Sequence, residues 1–374
     1  MKKSTALQRK RNPISVQAVN DAPECTIGVD IGDTHSMLCF LDAAGEVVEE
    51  ARIRTSSEAF EARFGGMQRA RVVIETGAHS RWIEEVLVTA GHDVLIANAR
   101  QLALISKNSR KSDRNDAELL ARLGRTDPRL LNPVQHRSAA AQQGLAVVRA
   151  REALVKARTA LINCVRGMVK AVGARMPKCD ADNFEMHKDK LPAGLADALT
   201  PVMTQIEQLT EAIGNIDVRL KTEMDTLAPG ARNLTTIPGV GPVTAVSFCL
   251  TIDDPNRFQQ SRAVGSYLGL VPRRDQSGAA DPQLGITKAG SPQMRRLLIQ
   301  CSQVLLNICK KSESDLRQWG LKLAGTSQAD KRRAVVAVAR KLAVLMHRML
   351  VTGKPFDPQH PSRSRPGVPV PATT

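Results

Sequence analysis

The sequence predicts an α/β domain at the N-terminus, then an all-α antiparallel coiled coil, then a mainly α-helical domain with a helix-hairpin-helix-like turn. Three observations predict it. Between residues 26 and 123, short β-branched and apolar runs alternate with amphipathic segments, the mark of a mixed sheet with helices on its faces. Between residues 154 and 227, apolar residues recur at spacings of three and four along two long stretches, as paired helices require. From residue 229 onward, helical stretches are punctuated by Gly and Pro, most densely in Ile-Pro-Gly-Val-Gly at 237 to 241. Five segments follow: a basic arm at 1–24, the α/β domain at 25–135, the coiled coil at 136–228, the helical domain at 229–352 and a Pro-rich tail at 353–374 expected to be disordered.

The arm is rich in Lys and Arg and has no hydrophobic period, so it is expected to be mobile. Strands at 26–32, 35–41 and 47–53, joined at Gly32-Asp33 and at 43–45, make a meander. Arg-Val-Val-Ile-Glu at 71–75 is a short apolar strand closed by Thr-Gly. A helix over 80–90, a strand over 93–97 and a helix from Ser112 to Leu123 complete the domain.

In the coiled coil the first stripe is Leu154, Leu161, Val165, Met168 and Val172, and the second runs from Leu195 to Leu227, with the turn at 177–194. The first helix carries seven Lys or Arg against Glu152, whereas the second carries six acids against Arg219 and Lys221. Pairing between the helices accounts for part of this asymmetry, and the surplus is available to phosphate. In the last domain, Ser291 with Pro292 caps a helix running to about Lys310, and a final amphipathic helix spans 331–350.

The chain has 53 Lys and Arg against 37 Asp and Glu, a formal charge of +16, with only 3% aromatics. Such an excess points to a polyanion contacted through its backbone more than by base stacking. Seven scattered cysteines without metal spacing read as reduced thiols. No apolar core follows the basic start, and the uncharged run 233–252 holds two Pro, two Gly and several Thr. A cytoplasmic protein without a membrane span is expected.

Four acids stand where acids are costly or conspicuous. Asp30 interrupts an apolar strand and Glu75 ends another, which demands pairing or a metal. Asp113 and Asp116 fall one helical turn apart inside the basic run 107–118, which also carries Arg110, Lys111 and Arg114. Two carboxylates about 4 Å apart repel by roughly 1 kcal/mol in water and several times that near a protein surface, and a divalent cation with hard oxygen ligands would relieve this. The alternative for the last pair is a capped surface helix with acids favoured by its dipole. Gly-Val-Asp-Ile-Gly at 28–32 also resembles the opening strand of actin-like sugar kinases and ATPases, although no later Gly-rich phosphate motif follows.

Further along, Gly239 and Gly241 would let backbone N–H groups approach a phosphate at a helix start. Ser277, beside Gly278, Arg273, Arg274 and Lys288, could present a hydroxyl to a phosphodiester, with Arg295 and Arg296 as further cations. Ser261, Ser266 and Ser291 lie nearby.

Taken in order, these motifs resemble the DEDD-type insertion-sequence transposases of the insertion-sequence-one-ten family, which are bridge-RNA-guided DNA recombinases. The resemblance covers about residues 25 to 350. It rests on Gly-Val-Asp-Ile-Gly (28–32), Ile-Glu-Thr-Gly (74–77), Lys-Ser-Asp-Arg-Asn-Asp-Ala (111–117), Ile-Pro-Gly-Val-Gly-Pro-Val-Thr-Ala (237–245), Leu-Gly-Leu-Val-Pro (268–272), Ser277 with Gly278, and Ile-Thr-Lys-Ala-Gly (286–290).

The resemblance implies a RuvC-like, RNase H-fold domain in which Asp30, Glu75, Asp113 and Asp116 bind Mg²⁺, with Mn²⁺ as a substitute, and a C-terminal transposase domain whose nucleophile is Ser277. It also implies a covalent serine–DNA link, strand exchange between target and donor DNA, an element-encoded noncoding RNA as guide, and a homodimer that assembles into a homotetramer. A RuvC-like junction nuclease with no serine step and a non-enzymatic nucleic-acid scaffold are the alternatives.

Overall fold

The computed structural model describes residues 24–98, 112–277, 282, 284–309 and 314–359. The arm before residue 24 and the tail beyond residue 359 lie outside the described residues. The chain divides into two compact units, Met1–His136 and Arg137–Thr374.

The first unit is built on a five-stranded sheet in the order β3-β2-β1-β4-β5. Strands β1 (Thr26–Asp30), β2 (His35–Leu41) and β3 (Val47–Arg54) form the expected antiparallel meander, while β4 (Arg71–Glu75) and β5 (Asp93–Ala97) add on parallel to β1. The inner strands β1 and β4 are apolar runs buried on both faces, as parallel interior strands are. Edge strand β3 instead carries charge on Glu49, Glu50, Arg52 and Arg54, which discourages pairing with another sheet.

Helices α1 (Ser57–Phe64) and α2 (Ser80–Thr89) cover one face, where Phe60, Phe64, Ile83 and Leu87 pack on Ile27, Val29, Val72 and Ile74. The pattern of apolar residues did not disclose α1. It is eight residues long with only two buried side chains, and its start is marked by Ser56, whose hydroxyl accepts from the Ala59 N–H. Helix α3 (Asp113–Thr126) covers the other face. It lies very close to the sheet, because Ala117, Ala121 and Gly124 line its underside. A Cβ on Gly28 would stand 1.9 Å from the Ala117 carbonyl oxygen, and one on Gly124 would stand 2.2 Å from Val73 Cγ2. A side chain at Gly28 would have to push helix backbone aside, and one at Gly124 would have to displace the buried Val73 side chain.

The second unit is helical. Helices α4 (Ala139–Ala171) and α5 (Ala193–Thr222) form an antiparallel hairpin, joined across by Arg151 to Asp217 and by Arg158 to Thr210 and Asp182. The buried seam of α4 is Ala141, Leu145, Val148, Arg158, Ile162, Val165 and Val169. This corrects the expected phase: Met168 and Val172 are exposed, whereas Ile162 and Val169 are inside. Arg158 occupies a seam position that an apolar stripe could not reveal. Helix α5 ends at Thr222, short of the expected 227, and a four-residue helix Met224–Leu227 continues the path.

Around helix α6 (Pro242–Ile252) a second core gathers α7 (Pro292–Asn307) and α9 (Gln328–Thr352). Residues 244–252 of α6 are all buried, so the uncharged run is core. No helix of the described residues is long and apolar enough to cross a membrane. All seven cysteines are free, and burial pushes the Cys39 thiol up to about 11 and the Cys249 thiol up to about 12, which keeps both unreactive. The first residues of the tail are not loose, contrary to the expected disorder. Gly353 accepts from Asn233, the Phe356 N–H donates to Thr236, and the Pro358 carbonyl accepts from the Asp315 N–H of α8 (Asp315–Leu323).

His347 of α9 is 1% exposed and fastens the loop before residue 262 to that helix. Its Nε2 donates to the Pro255 carbonyl at 2.9 Å and its Nδ1 lies 2.9 Å from the Ser261 hydroxyl, from which it accepts when the ring is neutral. Burial lowers its pKa, against the opposing pull of the Pro255 carbonyl. The unfolded chain therefore takes up a proton below about pH 6.5 that the folded one resists, and stability falls as pH drops through that point. Urea unfolding followed from pH 7.5 to 5 should lose stability with a slope of up to about 1.4 kcal/mol per pH unit from this group. The His347→Gln variant should show a shallower slope, and an unchanged slope would refute the lock.

Candidate active site

Two strand ends and one helix start converge in the first unit. Strand β1 pairs with β4 from Thr26 opposite Arg71 to Val29 opposite Ile74. Continuing that register by one residue sets Asp30 beside Glu75, about 4.8 Å apart at the backbone. Asp30 shares its face with Gly28 and Glu75 shares its face with Val73, and both of those residues lie under α3. The helix runs with its C-terminal end toward Arg71, whose guanidinium donates to the Gly124 carbonyl, and toward the β2–β3 turn, where Arg125 donates to Ala43. Its first turn is therefore directed toward the strand ends that carry Asp30 and Glu75. Asp113 lies one turn before Ala117, about 6 Å along the axis, and Asp30 lies two residues beyond Gly28, about 6.6 Å along the strand, in the same sense.

That first turn is capped by Ser112, whose hydroxyl accepts from the Asn115 N–H. Asp116 is buried, Asp113 is exposed, and Asp30 and Glu75 are half-buried. The donor set is four carboxylates, the oxygen ligands that a hard divalent cation takes. The side chains do not form a ready-made cage: among the described residues no three His, Cys, Asp or Glu are gathered as metal ligands. The shared edge is a matter of backbone placement, and the run just before Ser112, including Arg110 and Lys111, lies outside the described residues. Arg114 is exposed on α3 and pairs with Glu50 of β3.

Ser277 belongs to the second unit. Residues 269–273 and 285–288 form a ribbon: Pro272 bridges Ile286, the Arg273 N–H donates to Gly285, and the Thr287 N–H donates to Val271. Its base is tightly closed, since a Cβ on Gly290 would stand 2.2 Å from the Tyr267 carbonyl. Beyond it the residues from Pro272 to Ser277, Arg273 and Arg274 among them, are exposed. Gly278 lies outside the described residues. Lys288 is exposed and adopts a left-handed conformation, with φ 56°.

Two expected phosphate contacts are occupied elsewhere. Arg295 is buried, and its guanidinium donates to the Leu268 and Ala289 carbonyls, so it ties the ribbon to α7 and does not face a ligand. Gly239, φ 86°, lies against α7, where a Cβ would come within 3.1 Å of the Cys301 carbonyl oxygen. Gly241, by contrast, has open space beside it as the N-cap of α6. Arg296 is exposed and pairs with Glu152 of α4. Burial works against the charged form of that carboxyl, but hydrogen bonds from Lys156 and Arg296 overcome it and hold its pKa below the ordinary value. The cations of α9, read from sequence only as one side of an amphipathic helix, were not foreseen as part of a groove.

The sequence matches known proteins in both units. A DEDD transposase profile of the IS110 type matches residues 27–173, and the profile of the IS116/IS110/IS902 transposase family matches residues 231–317. The transposase for insertion sequence element IS1111A of Coxiella burnetii is 31% identical over 87% of this chain and 89% of its own length. The chain belongs to the IS110 family of transposases. Other relatives of this IS110-family chain are the transposase for insertion sequence element IS1328 of Yersinia enterocolitica, 29% identical over 66% of this chain and 74% of that one, and a pilin gene-inverting protein of Moraxella bovis, 24% identical over 88% and 97%. As an IS110-family transposase it is an enzyme that acts on DNA, cutting and rejoining strands in transposition, and its DEDD domain points to dependence on a divalent metal.

Proposed function

We propose that this IS110-family transposase is an RNA-guided DNA recombinase that works through a covalent serine–DNA intermediate. The observation that carries the reading is the common edge on which Asp30 and Glu75 end neighbouring strands beneath the first turn of α3. In this reading the first unit is a RuvC-like domain, the α4–α5 hairpin acts as an antiparallel coiled coil, and Gly241 at the start of α6 serves a helix-hairpin-helix contact with backbone phosphate. Asp30, Glu75, Asp113 and Asp116 would hold Mg²⁺, with Mn²⁺ as a substitute, which when bound polarises phosphoryl oxygens.

Ser277 Oγ attacks phosphorus and loses its proton. The new Oγ–P bond replaces the P–O bond to the leaving strand, whose oxygen takes up a proton. A hydroxyl released in the same way from the second duplex then attacks this phosphorus and frees the serine, and the reciprocal attack of the first leaving strand on a second protomer's serine link completes the exchange without net loss of phosphodiester bonds. Arg273, Arg274 and Lys288 neutralise the phosphates that flank this point. Holding target and donor duplexes together takes more than one protomer, so a dimer that assembles into a tetramer is proposed.

Reconstitution tests the guide. Purified chain, Mg²⁺, target and donor duplexes and the element's own noncoding RNA should yield recombinant joints, and omitting the RNA should remove them. Equal yield without RNA would sink RNA guidance while leaving the serine step open.

A further inference from the structure

A groove of about 1130 Å³ runs along α9 in the second unit. Six Arg and Lys side chains line it, against Asp315 and Asp357. Arg333, Arg340 and Arg348 recur at seven and eight residues on α9, about 11 Å apart along roughly one face. Between them the floor is apolar, with Val336 and Val344 of the same helix and Trp319 of α8. The Lys341 ammonium sits 3.6 Å from the centre of the Trp319 ring. Arg333 is paired with Asp330, whereas among the described residues Arg262, Arg332 and Arg340 have no carboxylate within ion-pair distance.

The ribbon contributes Leu270, Pro272 and Ile286 to the lining, a few residues from Ser277, and Phe356 and Pro358 of the pinned tail also line it. Cations beside an apolar floor are a poor match for duplex DNA, whose flat base faces are stacked out of reach. They suit a strand whose bases are unpaired, with phosphates on the rim and bases on the floor. An enzyme that cuts and rejoins strands of two duplexes generates such unpaired segments.

We infer that this groove binds a single DNA strand with unpaired bases and leads it toward the ribbon that carries Ser277. The direction of the strand rests on Ser277 being the nucleophile. The binding does not, and the test reads binding alone.

The full-length chain is titrated against a labelled 20-nucleotide single-stranded DNA, the same sequence as a duplex, and the same sequence as RNA, at several salt concentrations. Arg332 and Arg340 are exposed, so Arg332→Gln with Arg340→Gln should fold, and an unchanged melting curve confirms it. Losing two phosphate contacts should weaken single-stranded DNA binding about 25-fold at 0.1 M salt and lower the salt slope by about 1.4, with a smaller effect on duplex. A second variant, Val344→Glu, places a carboxylate on the floor and should weaken the single strand again. Unchanged single-strand affinity in both variants, or an equal loss with duplex, overturns the inference. A loss confined to RNA overturns the assignment to DNA.

Discussion

Asp30→Asn is expected to lower strand cleavage in Mg²⁺ about a thousandfold, equal to about 4 kcal/mol of transition-state stabilisation. The substitution keeps the side chain's size and one carbonyl acceptor while removing the charge. Asp30 is half-buried at the last position of β1, and Glu75 ends β4 one residue past the last pair of the β1–β4 register, so in the proposed metal site loss of its charge would weaken the hold on a divalent cation. The fold should barely notice, because like charges at neighbouring strand ends do not stabilise a sheet. The measurement is a single-turnover cleavage assay over a Mg²⁺ titration, paired with a thermal melt. Activity within tenfold of the parent, or a melt lowered by more than several degrees, would show that Asp30 serves the sheet and not the chemistry. Glu75→Gln should behave alike, and the double variant should lose little more than either one, since residues acting as a unit are not additive.

Ser277→Ala should abolish the covalent protein–DNA species that a denaturing gel displays, and with it nearly all strand exchange. The residue is exposed beyond a ribbon whose closure depends on Gly290, Pro272 and Thr287, so removing one hydroxyl leaves the scaffold intact. No adduct with the parent protein, or normal cutting by the alanine variant, would favour hydrolysis by water at the four carboxylates, the junction-nuclease alternative. If instead the adduct survives in Ser277→Ala, Ser261, Ser266 and Ser291 become the candidates to examine, of which Ser261 is already engaged by His347 and Ser291 by its cap bond from the Met294 N–H.

The sheet was largely legible before any coordinates. β4 and β5 begin and end at the expected residues because buried parallel strands are unbroken apolar runs closed by an acid or a turn. α1 escaped because two phenylalanines do not make a period. The seam of α4 was misphased because alanine, glycine and Arg158 take up positions on which a search for large apolar residues is silent. At the start of the tail proline content argues for disorder, but hydrogen bonds of Gly353, Phe356 and Pro358 to Asn233, Thr236 and Asp315 hold residues 353–358, and composition cannot register those. For the site, the order of the acids could be read directly. Their common edge could not, since it depends on the β1–β4 register and on the direction of α3, both long-range properties. The burial of Arg295 and the packing of Gly239 were equally invisible, because a motif does not state which of its members hold the framework and which face outward.

The two arginines in the helical hairpin bear on how the pair finds its alignment. Arg151 meets Asp217 and Arg158 meets Thr210. Sliding one helix by seven residues would bring Arg151 against Met224 or, in the opposite sense, Arg158 against Met203. The first slip would hand Asp217 to Arg158 but strip the half-exposed Arg151 of its carboxylate, while the second would leave the buried Arg158 facing a thioether, at a cost of several kcal/mol. Leucine and isoleucine alone would tolerate such slips, so these charged rungs work as a vernier that admits one setting of the two helices and rejects the settings on either side.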